Sequence, residues 1–404
     1  MRITYLHQYF NTPEMSGGTR SYEMARRLVS MGHEANIITS WREEDGRKGW
    51  FETDESGIRV HWLPVPYSNH MSYGDRIRAF SRFALGSARK AASIPSDVIF
   101  ATSTPLTIAL PGVYASRRRK VPMVFEVRDL WPELPIAMGA LRNPVLRWGA
   151  QWLERYAYRN ARSIVALSPG MQEGVERAGF PAERIAMIPN SCDLAHFRPD
   201  PSRGRAFREQ HGIPQDSILV TYGGTFGRIN GVDYLARVAH ELLDDERFHF
   251  LLVGAGQERQ KVEVLASEMR LLGRRLTLLP KVTKLEMAEV LAATDIATSL
   301  FIPLPEMEAN SANKFFDGLA AGCSMAVNYG GWHQELLESS GAGIRLDRDP
   351  KLAARTLQEY AGDRERIAQA GERARVLAEE RFSRDLLAQE LEQVLVSAVK
   401  EPRS

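Results

Sequence analysis

Two glycine-rich turns have the composition of anion-binding loops. Ser16-Gly17-Gly18-Thr19-Arg20 comes after the start MRITYLHQYF and opens the helical pattern SYEMARRLVSMGH. Gly223-Gly224-Thr225-Phe226-Gly227-Arg228-Ile229-Asn230-Gly231 follows the apolar run Ile218-Leu219-Val220-Thr221 and opens VDYLARVAHELL. A glycine turn at a helix N-terminus exposes backbone N–H groups and lets an anion approach the chain closely. One such turn says little, because glycine also serves simply to turn sharply. Two, each heading its own strand–helix series, imply a pair of Rossmann-like domains facing across a cleft. That is an enzyme architecture.

Charged residues lie at or near these turns. Arg228 sits inside the second one, where its guanidinium can clamp a phosphate with two parallel hydrogen bonds; the alternative is a solvated loop arginine. In Ser311-Ala312-Asn313-Lys314-Phe315-Phe316-Asp317, Ser311 and Asn313 are placed to cap the following helix. Lys314 then occupies the first helical turn, an unfavourable place for a cation unless an anion binds there. Asp317, three residues on, can accept hydrogen bonds from a sugar diol, or the two can form a surface ion pair. Arg128-Asp129 follows the apolar run Met123-Val124-Phe125. There the pair either positions a ligand's hydroxyls or forms a structural ion pair.

The elements that must hold these residues are legible as alternating apolar runs and helical patterns. Ile37 to Thr39, Val98 to Ala101, Met123 to Phe125 and Ser163 to Leu167 read as buried parallel strands. The second half repeats the scheme with Ile218 to Tyr222, Phe248 to Val253, Leu276 to Leu279, Ile296 to Leu300 and Met325 to Asn328. Helical patterns between them include Glu23 to Met31, Val145 to Asn160, Val232 to Leu243 and Lys314 to Ala321. Strand–helix alternation argues for an α/β protein with parallel sheets covered on both faces. Ligands of such sheets bind outside the carboxyl ends of the strands, where both glycine turns fall. At 404 residues the chain exceeds one hydrophobic core. The proline-rich stretch Phe197 to Ser202 marks a boundary, giving domains 1–199 and 200–380 with a helical tail, 381–404, packing back on the first.

Bulk chemistry excludes several classes. A net charge of +2 is too small to argue for nucleic acid. Cys192 and Cys323 alone cannot build a disulfide scaffold or a cysteine zinc site, which suggests a reducing compartment. No Asp-x-Asp element stands at a strand end and the histidines lack ligand spacing, so no metal or other cofactor is expected. His7, Gln8 and Asn11 interrupt the N-terminal apolar run, which does not read as a signal peptide. No uncharged stretch approaches the roughly 18 apolar residues of a membrane span. The expected location is the cytoplasm, on the inner face of the membrane.

An ordered series of motifs resembles family 4 of the retaining glycosyltransferases, which have the GT-B fold. It comprises Gly17-Gly18 before a helix ending Met31-Gly32-His33-Glu34, Ile188-Pro189-Asn190-Ser191-Cys192-Asp193 with Phe197-Arg198-Pro199, Gly254-Ala255-Gly256-Gln257-Glu258-Arg259, and Asn313-Lys314-Phe315-Phe316-Asp317 with Ala320-Ala321-Gly322. Arg128-Asp129-Leu130-Trp131-Pro132-Glu133 and Gly330-Gly331-Trp332 resemble a bacterial subgroup that builds O-antigen, capsule and exopolysaccharide units. The resemblance implies a nucleotide-sugar donor, UDP preferred over GDP, carrying an N-acetylated amino or deoxy sugar. It implies a polyprenyl-diphosphate-linked acceptor held by the first domain. Arg228 and Lys314 would then take the diphosphate, Asp317 the ribose and Val282 the base edge. Arg128 and Asp129 would position hydroxyls in a front-face reaction. Gly17, Gly18, Thr225, Asn230, Ser311 and Asn313 would complete the substrate contacts.

Departures from the family pattern are specific. Thr225 and Asn230 replace the usual Arg and Lys around the second turn. Ala309, flanked by Glu306 and Glu308, replaces the first of two paired glutamates, and Asp317 stands at the second position. Arg128 replaces a His. The segment 68–90 mixes Arg76, Arg78, Arg82, Arg89 and Lys90 with Ile77, Phe80 and Phe83 at helical spacing. With Arg117-Arg118-Arg119-Lys120, it reads as a basic face for an anionic membrane or as an ordinary packed amphipathic helix. Two other classes remain. A nicotinamide-dependent oxidoreductase needs G-x-G-x-x-G and an acidic residue about 20 positions later, which neither turn supplies. A non-catalytic nucleotide-binding protein is the other.

Overall fold

The computed structural model describes residues 1–15, 17–66, 71, 73–103, 105–139 and 141–401. Ser16 of the first turn and residues 67–70 and 72 of the basic segment lie outside the described residues, as do the side chains of Tyr73 and Arg76. The chain divides into two compact units, 1–189 with 385–404, and 190–384.

The first unit is an eight-stranded sheet. Its strands are β1 (Arg2–Leu6), β2 (Glu34–Trp41), β3 (Phe51–Glu55), β4 (Ile58–Pro64), β5 (Val98–Thr102), β6 (Met123–Val127), β7 (Ser163–Ala166) and β8 (Ile185–Met187). They lie in the order β3-β4-β2-β1-β5-β6-β7-β8, all parallel except β3. The central strands are apolar because helices cover both faces and leave no wet side. The edge hairpin β3–β4 is absent from the sequence reading. Its signal is Ser56-Gly57, both with positive φ, the turn that matches the twist of a two-residue hairpin.

The second unit has six parallel strands, β9 (Ile218–Gly223), β10 (Phe248–Val253), β11 (Leu276–Leu279), β12 (Ile296–Ser299), β13 (Ser324–Val327) and β14 (Gly343–Arg345). Their order is β11-β10-β9-β12-β13-β14. Residues 190–199, expected in the first domain, group with this unit. The Asn190 N–H donates to Ser311 Oγ at 3.0 Å, and the Cys192 N–H donates to the Phe382 carbonyl at 3.1 Å. The helix Arg384–Lys400 returns to the first unit from Asp385 onward, where Glu392 meets His33 Nε2 at 2.7 Å.

One buried ion pair knits the first unit. Arg20, at the start of the helix Arg20–Ser30, bonds Glu126 Oε1 through Nε and Nη2 at 3.0 and 2.9 Å. Its guanidinium also donates to the carbonyls of Ile188 and Pro189. Glu126 Oε2 accepts from Thr102 at 2.6 Å. Burial alone would raise the Glu126 carboxyl, but Arg20 and Arg128 outweigh it and hold it below its ordinary value. Removing one partner strands the other's charge. Glu126→Ala should therefore destabilise the protein by about 3–5 kcal/mol in chemical denaturation, with much of the loss recovered in Arg20→Met/Glu126→Leu.

Candidate functional site

In the second unit the strand order changes direction between β9 and β12. The turn beginning at Gly223 leaves the end of β9 there. Gly224 has φ +149°, and a Cβ on it would come within 3.0 Å of Lys314 Cε, so only glycine fits beside that side chain. Lys314 starts the second position of the helix Asn313–Ala320. Its Nζ bonds Asn230 Oδ1 at 3.1 Å and lies 5.0 Å from the Tyr222 ring centroid and 5.6 Å from that of Phe301. No carboxylate pairs with it among the described residues. Burial pushes its amine down to about 8. Asn230 is thereby a hydrogen-bond acceptor for the lysine, held in the short helical turn Arg228–Asn230.

Arg228 opens that turn, exposed and without an ion pair among the described residues. Thr225 is exposed, and its carbonyl accepts from the Tyr222 hydroxyl at 2.8 Å. Val282, beyond the end of β11, is half-buried and packs against the buried cluster that contains Leu251, Val253 and Val290.

The expected capping by Ser311 and Asn313 does not occur. The cap residue is Ala312, which has no side-chain acceptor, and Asn313 is the exposed first residue of the helix. Ser311 is buried and committed to Asn190, which removes its hydroxyl from the helix end. The first N–H groups of this helix are consequently left without a side-chain cap, beside the Lys314 cation. Nor do Lys314 and Asp317 form an ion pair. Asp317 belongs to a different charge cluster with Asp193, Lys284 and Arg384, in which Lys284 and Arg384 both pair with Asp193. Burial raises the Asp317 carboxyl to about 6, against the pull of Lys284 and Arg384.

Glu308 lies against Gly330 and Gly331; a Cβ on Gly331 would come within 2.6 Å of the Glu308 carbonyl oxygen. Trp332 Nε1 donates to the Asn310 carbonyl at 2.8 Å, pinning the same segment. The rings of Tyr222 and Phe301 escaped the sequence reading, although each stands at the end of a strand flanking the switch point.

In the first unit Gly17 has φ +131°, and a Cβ there would come within 2.6 Å of Asn11 Nδ2. Asn11 in turn donates to the Gly18 carbonyl at 3.2 Å. Arg128, just past β6, donates its backbone N–H to Ser103 Oγ at 2.9 Å and a guanidinium N–H to His7 Nε2 at 3.2 Å. Burial first, then Arg128 and Arg42, hold His7 neutral. Asp129 follows, half-buried. Among the described residues no three His, Cys, Asp or Glu side chains are placed to hold a metal ion.

Residues 17–191 match the family described as glycosyl transferase 4-like domain. The chain is 23% identical over 274 residues to a putative colanic acid biosynthesis glycosyl transferase of Escherichia coli, spanning 64% of this chain and 67% of that protein. It is 24% identical over 398 residues to a D-inositol 3-phosphate glycosyltransferase of Xylanimonas cellulosilytica, spanning 95% and 93%. The solved structure of HepE from Anabaena in complex with UDP covers 98% of this chain and all of that one, with TM-score 0.73 at 16% identity. The fold is that of GT-B glycosyltransferases, two parallel-sheet α/β domains. The matched stretch includes Gly17, Gly18, Arg128 and Asp129, whereas Arg228, Lys314 and Asp317 lie beyond it.

The lowered Lys314 amine has a definite cost in the free protein. Between about pH 8 and 10.5 the unfolded chain holds a proton that the folded lysine has lost, so this contribution falls as pH drops through that window. Lys314→Met should stabilise the ligand-free protein at pH 7 by on the order of 1–3 kcal/mol. The gain should shrink as pH is raised toward 10, read by denaturation at each pH.

Proposed function

We propose that the chain is a retaining glycosyltransferase that takes a sugar from a nucleoside diphosphate donor. The observation that carries this reading is Lys314: a cation half withdrawn from water, held only by an amide oxygen and two ring faces, beside a glycine turn and an uncapped helix N-terminus. Such a group has little reason to be there without an anion, since both the helix dipole and burial oppose its charge. A diphosphate reverses both penalties. Arg228, exposed on the same turn, supplies the second cation. Asp317 would accept from the ribose and Val282 would border the base, with Thr225, Asn230, Ser311 and Asn313 supporting the contacts.

UDP is the preferred nucleotide, supported by the UDP-bound structure of the same fold. An N-acetylated amino or deoxy sugar and a polyprenyl-diphosphate-linked acceptor are what the motif resemblance implies, and the colanic acid biosynthesis relative supports a role in polysaccharide synthesis. In the reaction the departing phosphate oxygen takes the acceptor proton as the new glycosidic bond forms, so no protein nucleophile is needed. Arg128 and Asp129 position hydroxyl groups. Arg228, Lys314 and backbone N–H groups stabilise the leaving diphosphate without a metal. UDP should raise the melting temperature and NAD should not. Arg228→Ala and Lys314→Met should each lower release of UDP from its nucleotide sugar by more than tenfold, while excess EDTA leaves it unchanged. Normal turnover in both variants, or strict metal dependence, would sink this scheme.

We further propose that the first unit rests on anionic lipid. Three adjacent helices of this unit, Tyr73–Ser93, Ala109–Arg119 and Pro144–Arg159, present Arg78, Arg82, Arg117, Arg118, Arg119 and Arg155 to solvent. The expected apolar stripe divides: Phe83 is buried in the core while Ile77 is exposed. The lipid-facing aromatics lie instead on the third helix, where Trp148 and Trp152 are 68% and 51% exposed beside Val145 and Leu146. Exposed tryptophans among arginines suit the interface between headgroups and acyl chains. No described helix is long and apolar enough to cross a membrane. Trp148→Ser/Trp152→Ser should weaken sedimentation with phosphatidylglycerol vesicles at least fivefold. Unaltered binding would remove this face from contact with lipid.

A further inference from the structure

Four neighbouring strands of the first sheet, β2, β1, β5 and β6, run parallel and end at one edge. The residues just past those ends are Arg42 after β2, His7 and Gln8 after β1, Ser103 after β5 and Arg128 after β6. The strand order changes direction between β1 and β5, which is where open α/β sheets take ligands. This edge is therefore a site in its own right, sharing no side chain with the surroundings of Lys314.

Its electrostatics are unbalanced. Arg128 donates to His7 Nε2 at 3.2 Å, and Arg42 acts on the same ring through space. With Nε2 accepting, the ring proton sits on Nδ1. Arg42 bonds Asn11 Oδ1 and stands over the Tyr9 ring with its guanidinium carbon 6.0 Å from the centroid. Neither arginine makes an ion pair with a described residue. Exposed Glu43 and the Tyr9 hydroxyl act on Arg42, and Arg128 acts on Glu126, which is already committed to Arg20. Two cations brought to one neutral imidazole repel each other in a medium that screens poorly. An anion between them removes that repulsion.

A second, independent observation points the same way. Gln8 is 1% exposed, and neither its amide oxygen nor its amide nitrogen has a hydrogen-bond partner among the described residues. His7, 3% exposed, likewise has no partner at Nδ1. Buried polar groups are ordinarily satisfied, and adjacent unsatisfied donors mark a place where a ligand supplies the acceptor. The Gln8 backbone is firmly held, its carbonyl accepting from Thr39 at 3.1 Å and from Ser40 at 2.6 Å.

We propose that His7, Gln8, Arg42 and Arg128 form an oxyanion site that takes a phosphoryl group of the acceptor. The guanidinium forks supply paired donors in the geometry a phosphate accepts, and the Gln8 amide and His7 Nδ1–H complete the shell. Assigning that phosphate to the acceptor rests on the transferase reading; the site itself does not.

Calorimetry with inorganic pyrophosphate on the full chain tests the site, with and without saturating UDP. One pyrophosphate should still bind when UDP is saturating. Arg42→Gln and Arg128→Gln should each weaken that binding at least tenfold, and Lys314→Met should leave it unchanged. Arg42→Lys and Arg128→Lys keep the charge without the fork, so intermediate affinity in them separates lost recognition from a lost fold. Geranyl diphosphate should compete with the pyrophosphate, which places the phosphate on a prenyl-linked ligand. If UDP alone displaces it, the site serves the donor and the acceptor assignment fails. If the UDP-saturated protein takes up no pyrophosphate, or the arginine variants bind it normally, the site is refuted. Failure of UDP to bind would instead strike the transferase reading, and titration of the Lys314→Met protein without UDP, compared with the same protein carrying Arg42→Gln, still reads this site.

Discussion

A guanidinium with no route to water organises the first unit. Arg20 reaches Glu126 on β6 and the carbonyls of Ile188 and Pro189, while Glu126 reaches Thr102 at the end of β5. Arg20, Thr102 and Glu126 each border a segment on which chemistry has been proposed. Arg20 follows the Gly17-Gly18 turn, Thr102 precedes Ser103, and Glu126 stands two residues before Arg128. The energetic logic is that of a fully paired buried charge, which tolerates no partial loss of its partners. The same pair that holds the sheet therefore sets the positions of the loops beyond its carboxyl edge.

The second unit treats its central cation in the opposite way. Arg20 is neutralised and saturated with hydrogen bonds, whereas Lys314 is left with an amide oxygen and two aromatic faces. Ring faces attract a cation but do not cancel its charge, so the site retains a positive field that water only partly screens. A protein built only for stability would place an apolar side chain there. The contrast separates a cation neutralised within the fold from one whose charge the fold leaves uncancelled, a distinction that residue type alone does not make.

The parallel strands were legible because burial on both faces writes continuous apolar runs. Phe248–Val253 and Leu276–Leu279 lie where the runs predict. The β3–β4 hairpin was missed because an edge pair needs little apolar surface and its alternation is short. The helix start at Asn313 was legible, but its cap was not: whether Ser311 serves the helix or Asn190 depends on a contact with residue 190, far away in sequence. The boundary between units fell at Pro189 rather than at the prolines after Phe197 for a similar reason, since Asn190 and Cys192 take their partners from the second unit. Lys314 and Arg128 were visible as candidates. The rings around the first, and the convergence of Arg42 and Arg128 on His7, required the strand order, which no local pattern encodes.

The return of the last helix makes the connectivity unlike that of two beads on a string. The chain leaves the first unit at Pro189 and re-enters it at Asp385, so that unit is assembled from both ends of the polypeptide. Exchanging it between relatives by a single recombination event would leave one parent's helix against the other parent's sheet. Only the second unit, 190–384, is a continuous stretch of chain that can be inherited as an insertion. Exchange of that second unit as a cassette is thus compatible with this topology. Exchange of either unit intact requires two coordinated crossovers, at the same two junctions.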